Sequence, residues 1–260
     1  MNGIELYYES HGEADGRPVV TFLHGAGGNH ISWWQQVPVF SQKYRCITID
    51  HRGFGRSTDP EKLGSTRYIE DLEALLDHLG VERTALVAQS MGGLAALGYA
   101  VRHPERVTAL AMADNWGWFD WPELRERWNT LRAERAEDPP APGGMGKRYR
   151  AEHPRGAFLY QQIGALNPPR DAAAPFLSGG GVTKADVAGL KVPTLWLVGG
   201  EDPTVPPEII REMHALTPGS TYVEVAGSGH SVYFEDAAAF NQHVGQFLDA
   251  HVLASHVPAS

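Results

Sequence analysis

The sequence holds one cysteine, Cys46, in 260 residues. One thiol cannot close an internal disulfide, so a stapled secreted scaffold is excluded. Long hydrophobic runs are missing as well. Stretches such as Val19–Leu23 and Thr194–Val198 fall far short of the roughly 20 apolar residues that span a membrane. Basic residues are in deficit, with 22 Lys+Arg against 31 Asp+Glu and a formal net charge of −9. That balance argues against nucleic acid as the main partner. Met1-Asn2-Gly3-Ile4-Glu5 shows neither the basic nor the apolar stretch of a secretory signal. The expectation is a cytoplasmic protein with no membrane partner. There is no HExxH, no Cys/His cluster, no GxGxxG and no Gly-Lys-Ser/Thr, so neither metal nor cofactor is expected.

What is present is an ordinary globular composition, 42% hydrophobic and 20% charged. Short apolar runs alternate with helical periodicity. Strands are expected at Ile4–Glu9, Val19–Leu23, Arg45–Ile49, Thr84–Ala88 and Val107–Met112. Between them, Tyr68–Leu79 places Ile69, Leu72, Leu75, Leu76 and Leu79 on one face, and Met91–His103 is a second helix stopped by Pro104. This is the pattern of an α/β fold with a parallel sheet covered on both faces. From about Asn115 to Lys184 no buried strand is expected, only helices near Pro122–Glu137 and Gly156–Leu166 joined by Pro- and Gly-rich loops. The sheet pattern resumes at Thr194–Val198 and Thr221–Val225, with helices at Pro207–Leu216 and Ala237–Ala250 and a frayed tail at Ser255–Ser260. The helical stretch carries 10 Lys+Arg against 8 Asp+Glu, so the acidity resides in the rest of the chain.

Three residues then stand out. Ser90 lies in Ala88-Gln89-Ser90-Met91-Gly92-Gly93, between a strand and a helix. A serine hydroxyl needs exposure, alignment and a base to attack. A sharp turn supplies exposure, and small residues two before and two after it let the backbone cross closely. The usual motif has glycine at both positions, and Ala88 departs from it. The loop His24-Gly25-Ala26-Gly27-Gly28-Asn29 follows a strand and offers the Ala26 amide, with that of Met91, as donors to an oxyanion. His230, in Gly227-Ser228-Gly229-His230-Ser231, and Asp202, in Gly199-Gly200-Glu201-Asp202-Pro203, both follow strands at the carboxyl edge of the sheet. His230 is the candidate base and Asp202 the candidate orienting acid, with Glu201 and Asp114 as rivals. The alternative reading of Asp202 is an Asx-turn or a helix-cap role before Pro203.

The order Ser90, Asp202, His230 matches the α/β-hydrolase pattern, and at this point the chain resembles that family in its lid-bearing form. The resemblance rests on His24-Gly25-Ala26-Gly27-Gly28, Asp50-His51-Arg52-Gly53-Phe54-Gly55-Arg56-Ser57, Gln89-Ser90-Met91-Gly92-Gly93, Gly199-Gly200-Glu201-Asp202 and Gly229-His230. It implies a mostly parallel eight-stranded sheet flanked by helices, with a helical cap after the sixth strand. The core would be residues 1–114 and 185–260 and the cap 115–184. It further implies Ser90 as nucleophile, His230 as base, Asp202 as orienter, and the Ala26 and Met91 amides as oxyanion hole. The Asp50–Ser57 segment would be a structural turn. Haloalkane dehalogenases and epoxide hydrolases of this fold attack with aspartate, whereas position 90 is Ser, which favours acyl transfer. Small esterases and enol-lactonases are the subfamilies most resembled. C–C hydrolases of meta-cleavage products usually carry Trp after the histidine, and here it is Ser231. Cofactor-free haloperoxidases, lyases, acyltransferases and hydrolase-fold ligand receptors share the triad and stay open.

The expected substrate is a small molecule with an apolar or aromatic group. Trp116 and Trp118, with Phe119 and Trp121, fall just past the strand Val107–Met112, where they would wall a pocket or simply glue cap to core. Arg148, Arg150, Arg155 and Arg170 would meet either solvent or an anionic substrate. Gly143-Gly144 and Gly179-Gly180-Gly181 are candidate hinges.

Overall fold

The computed structural model describes residues 2–13, 16–137, 140–178 and 180–254. Asp138, Pro139 and Gly179 of the expected loops, and the tail Ser255–Ser260, lie outside the described residues.

In chain order the elements are β1 (Tyr8–His11), β2 (Val19–Leu23), α1 (Val37–Phe40), β3 (Arg45–Ile49), α2 (Tyr68–His78), β4 (Thr84–Gln89), α3 (Gly92–Arg102) and β5 (Val107–Ala113). There follow α4 (Pro122–Glu134), α5 (Lys147–Glu152), α6 (Pro154–Ala165), α7 (Lys184–Ala188), β6 (Thr194–Gly199), α8 (Pro207–Leu216), β7 (Thr221–Val225), α9 (Val232–Glu235) and α10 (Ala237–Leu248). The sheet order is β1-β3-β2-β4-β5-β6-β7. Only β1 runs antiparallel, pairing Tyr8 with Ile49.

Side chains alternate across a strand, so each central strand feeds two cores. Leu86 and Ala88 of β4, with Leu110 and Met112 of β5, join α2, α3 and α8 on one face. Ala85 and Val87, with Ala109, Ala111 and Ala113, join Trp33, Phe40 and the α10 residues Phe240, Val244 and Phe247 on the other. Both faces being covered explains why the middles of β4 and β6, residues 85–88 and 195–198, read as continuous apolar runs.

The mostly parallel sheet between helices is as expected, with two differences. Among the described residues there are seven strands where the resemblance implies eight, so the helical segment follows the fifth strand and not the sixth. The first strand also begins at Tyr8, not at Ile4. Ile4 and Leu6 are buried, which gave the stretch its strand-like alternation. Its amides go elsewhere: Glu5 N–H donates to Thr58 Oγ1 and Tyr7 N–H to Ser57 Oγ. Among the described residues no helix is long and apolar enough to cross a membrane.

Candidate active site

Ser90 sits at the turn from β4 into α3, with φ +46°. That left-handed conformation costs a non-glycine residue about 1 kcal/mol. Its amide is tied to the Ala113 carbonyl at 3.0 Å. The helix that follows can start so tightly because position 92 is glycine: a Cβ there would run into the Leu23 carbonyl. Ala88 causes no conflict, since it lies inside β4 between its register partners Leu23 and Met112.

His230 reaches this turn from the loop after β7. Its Nε2 lies 2.8 Å from Ser90 Oγ and its Nδ1 2.8 Å from Asp202 Oδ2. With Nδ1–H donating to Asp202, Nε2 is left to accept the Ser90 hydroxyl proton. Asp202 is fully buried and also fills the Asx-turn role. Its Oδ1 accepts the amides of Thr204 (2.7 Å) and Val205 (2.8 Å), and its Oδ2 faces the imidazole. Glu201, next to it, is exposed. Asp114, at the end of β5, accepts the Gly199 amide at 3.0 Å and the Val232 amide at 3.3 Å. Complete burial, reinforced by the Asp202 carboxylate beside it, holds Asp114 well above the usual carboxylate range.

The loop after β2 is held by a neutral histidine. His24 Nδ1 donates to the Gly25 carbonyl at 2.8 Å, and its Nε2 accepts the His51 amide at 3.0 Å. Burial pushes His24 down to about 4. The Asp50–Ser57 segment is a hydrogen-bonded turn. Asp50 accepts the His30 and Arg56 amides, and Arg52 makes a two-pronged pair with Asp71 at 2.8 and 2.7 Å. Cys46 is buried in β3, where burial raises its thiol to about 12.

Ser90 and His230 open onto a cavity of about 460 Å³, which Ala26 and Met91 also line. Met91 is the N-cap of α3 and makes no side-chain cap bond; the Gly93 and Leu94 amides turn back to the Ser90 and Met91 carbonyls at 2.9 and 3.1 Å. The far walls are Trp118, Trp128, Phe176 and Leu177, all from the segment between β5 and β6. Trp116 is not among the lining residues. It is fully buried behind Trp118, with ring centroids 5.1 Å apart, and packs on Phe119 and Trp128. The backbone between them is left-handed at both Gly117 (φ +76°) and Trp118 (φ +56°), and across that reversal one indole reaches the cavity while the other stays in the core. Arg148, Arg150, Arg155 and Arg170 do not line the cavity either; Arg150 pairs with Glu137 at 2.7 Å, and Arg170 lies over the Phe176 ring. Arg132 does line it.

Several positions escaped the sequence reading. Phe176 and Leu177 belong to a loop without periodicity. Gln89, whose Nε2 donates to the His230 carbonyl at 2.8 Å, had one signal: it is a polar residue closing an otherwise apolar strand.

A family model for the alpha/beta hydrolase fold matches residues 18–144 and 139–237. A putative carbamate hydrolase, RutD, of Caulobacter vibrioides is 26% identical, over 94% of this chain and 95% of its own. A thermophilic esterase from Thermogutta terrifontis superposes with a TM-score of 0.80 at 28% identity, covering 96% of this chain and 95% of its own. The enol-lactonase from Burkholderia xenovorans LB400 gives 0.78 at 25% identity, over 95% and 97%. The chain belongs to the alpha/beta hydrolase family.

Proposed function

We propose that the chain is a serine hydrolase that cleaves a carboxylic ester or lactone through an acyl-enzyme on Ser90. One observation carries the reading: a hydroxyl, an imidazole and a buried carboxylate stand in relay, 2.8 Å and 2.8 Å apart, at the wall of a largely apolar cavity. Ser90 Oγ attacks the substrate carbonyl carbon while His230 Nε2 takes its proton. Asp202 holds the ring in the tautomer this requires and stabilises the imidazolium. The carbonyl oxygen gathers charge against the amides of Ala26 and Met91. His230 returns the proton to the departing alkoxide, then activates water to release the acid.

In this reading residues 1–114 and 185–260 are the catalytic core, and residues 115–184 are a cap that supplies the pocket wall. Trp118, Trp128, Phe176 and Leu177 suit an apolar or aromatic substituent, and Trp116 supports Trp118 from behind. The carbamate hydrolase name of a relative aligned over nearly the whole chain favours a second reading. A carbamate carbonyl would use the same nucleophile, base and amides.

The test is a panel of p-nitrophenyl esters from acetate to octanoate, simple lactones and an aryl carbamate, run on the wild type and Ser90→Ala. The expected result is ester or lactone turnover that falls by at least about 10⁴-fold in the variant. Preferential carbamate turnover would transfer the function to the second reading. Turnover that survives in Ser90→Ala would overturn both.

A further inference from the structure

Glu235 closes the short helix α9, five residues after His230. Its carboxylate touches no part of the cavity. Its two oxygens nevertheless accept three backbone amides. Oε2 takes Gly229 N–H at 2.8 Å and Gly146 N–H at 3.0 Å, and Oε1 takes Ser231 N–H at 3.1 Å. Gly229 and Ser231 flank His230 on either side. Gly146 belongs to the helical segment between β5 and β6, just before α5.

The amide between those two is committed as well. His230 N–H donates to the Gly144 carbonyl at 3.0 Å, again in the helical segment. The His230 carbonyl accepts from Gln89, the residue before Ser90. Three successive amides, 229 to 231, are thus bound, two by one carboxylate and one by the segment that carboxylate also holds. The two strips of chain approach almost backbone to backbone. A Cβ at Gly144 would stand 2.7 Å from the His230 Cβ, so only glycine permits the contact. A third tie follows: Tyr160 of α6 and Ser231 are hydrogen-bonded through their hydroxyls at 3.0 Å.

We propose that Glu235 is a positioning residue that fixes His230 through its neighbouring amides and fastens the helical segment to the same loop, so that seating the segment and aligning the base are one event. The proposal rests on the reading of His230 as the base of Ser90. Charge-assisted bonds from a carboxylate to amides are among the strong hydrogen bonds, which suits a fastener. A glutamine cannot replace it. Glutamine offers one acceptor oxygen and an amide N–H₂ that would face a backbone N–H, so at least one of the three bonds is lost.

The test uses the full chain as wild type, Glu235→Gln and Glu235→Ala. Active sites are counted with a fluorophosphonate, and kcat and KM are measured with p-nitrophenyl butyrate. Exchange of the amides at 146, 229 and 231 is followed by NMR. A misplacement of about 1 Å can cost a hundredfold in rate. The expected result is a kcat per counted site about tenfold lower in Glu235→Gln and about a hundredfold lower in Glu235→Ala, with KM little changed. All three amides should exchange faster together in the glutamine variant, which is isosteric and guards against the alanine variant failing to fold. A lowered melting temperature with unchanged kcat per counted site overturns the positioning role. Faster exchange at 229 and 231 with no change at 146 overturns the coupling to the helical segment. If the wild type neither labels at Ser90 nor cleaves esters, the underlying reading of the site fails, and the exchange data still decide whether the clamp exists.

Discussion

Acidification from pH 7 to pH 4 is expected to cost the fold about 3 kcal/mol through His24 alone. His24 is 1% exposed and uses both ring nitrogens in the neutral form, one donating to Gly25 and one accepting from His51. A proton on Nε2 would set a donor against the His51 amide. Burial therefore lowers His24 from 6.5 to about 4. The folded value lies below the unfolded one, so between them the unfolded chain binds the extra proton. The stabilisation is complete above about pH 6.5 and is lost as pH falls toward 4. At 1.36 kcal/mol per pKa unit the window corresponds to about 3 kcal/mol. His51, buried beside it and also lowered, acts in the same direction. Asp114 and Glu235, both raised chiefly by burial, act in the opposite one, gaining stability as pH falls. The total slope is therefore a poor readout, and the difference between two proteins is a good one. Urea unfolding followed by tryptophan fluorescence, at steps from pH 7.5 to 4, would be run on wild type and His24→Gln. The variant should start less stable and lose less on acidification, by about 3 kcal/mol across the window. Parallel curves would refute a neutral, buried His24.

Three further variants test the site and the fold. Asp202→Asn should lower kcat by about 10³- to 10⁴-fold, because an amide facing Nδ1 no longer selects the productive tautomer. Asp114→Asn, at a carboxyl that accepts the Gly199 and Val232 amides while Asp202 faces the ring, should stay within about tenfold of wild type; steady-state kinetics on both variants separates the two carboxyl groups. Arg52→Ala should strand the buried Asp71 without its two-pronged partner. Breaking such a pair costs about 3–5 kcal/mol, and the melting temperature should fall by roughly 6–20 °C in a thermal scan.

Much of the site was legible because its parts lie where local chain rules place them. Ser90 follows an apolar strand and precedes a glycine-rich helix start, and Asp202 and His230 each follow a strand at the same sheet edge. Parallel strands bring such positions together whatever the loops between them do. The choice of Asp202 over Asp114 was less accessible. Both end strands, and only the distance to His230 Nδ1 distinguishes them. The pocket wall was legible only in part. Trp116 and Trp118 are two residues apart, and the left-handed backbone at Gly117 and Trp118 accompanies the placing of one on the cavity and the other beneath it. The start of β1 was misplaced because Ile4 and Leu6 are buried in a strand-like alternation, although the strand itself begins at Tyr8. Glu235 gave no signal at all, since its partners are backbone amides, which every residue except proline carries.

The central claim is that Ser90 is the nucleophile activated by His230. Labelling with a fluorophosphonate, read by peptide mass, tests it without knowledge of the substrate. The account predicts one adduct per chain on the peptide carrying Ser90, no adduct in Ser90→Ala, and labelling slowed by at least about 10³-fold in His230→Ala. An adduct on another residue, or labelling that persists at the wild-type rate without His230, would contradict it.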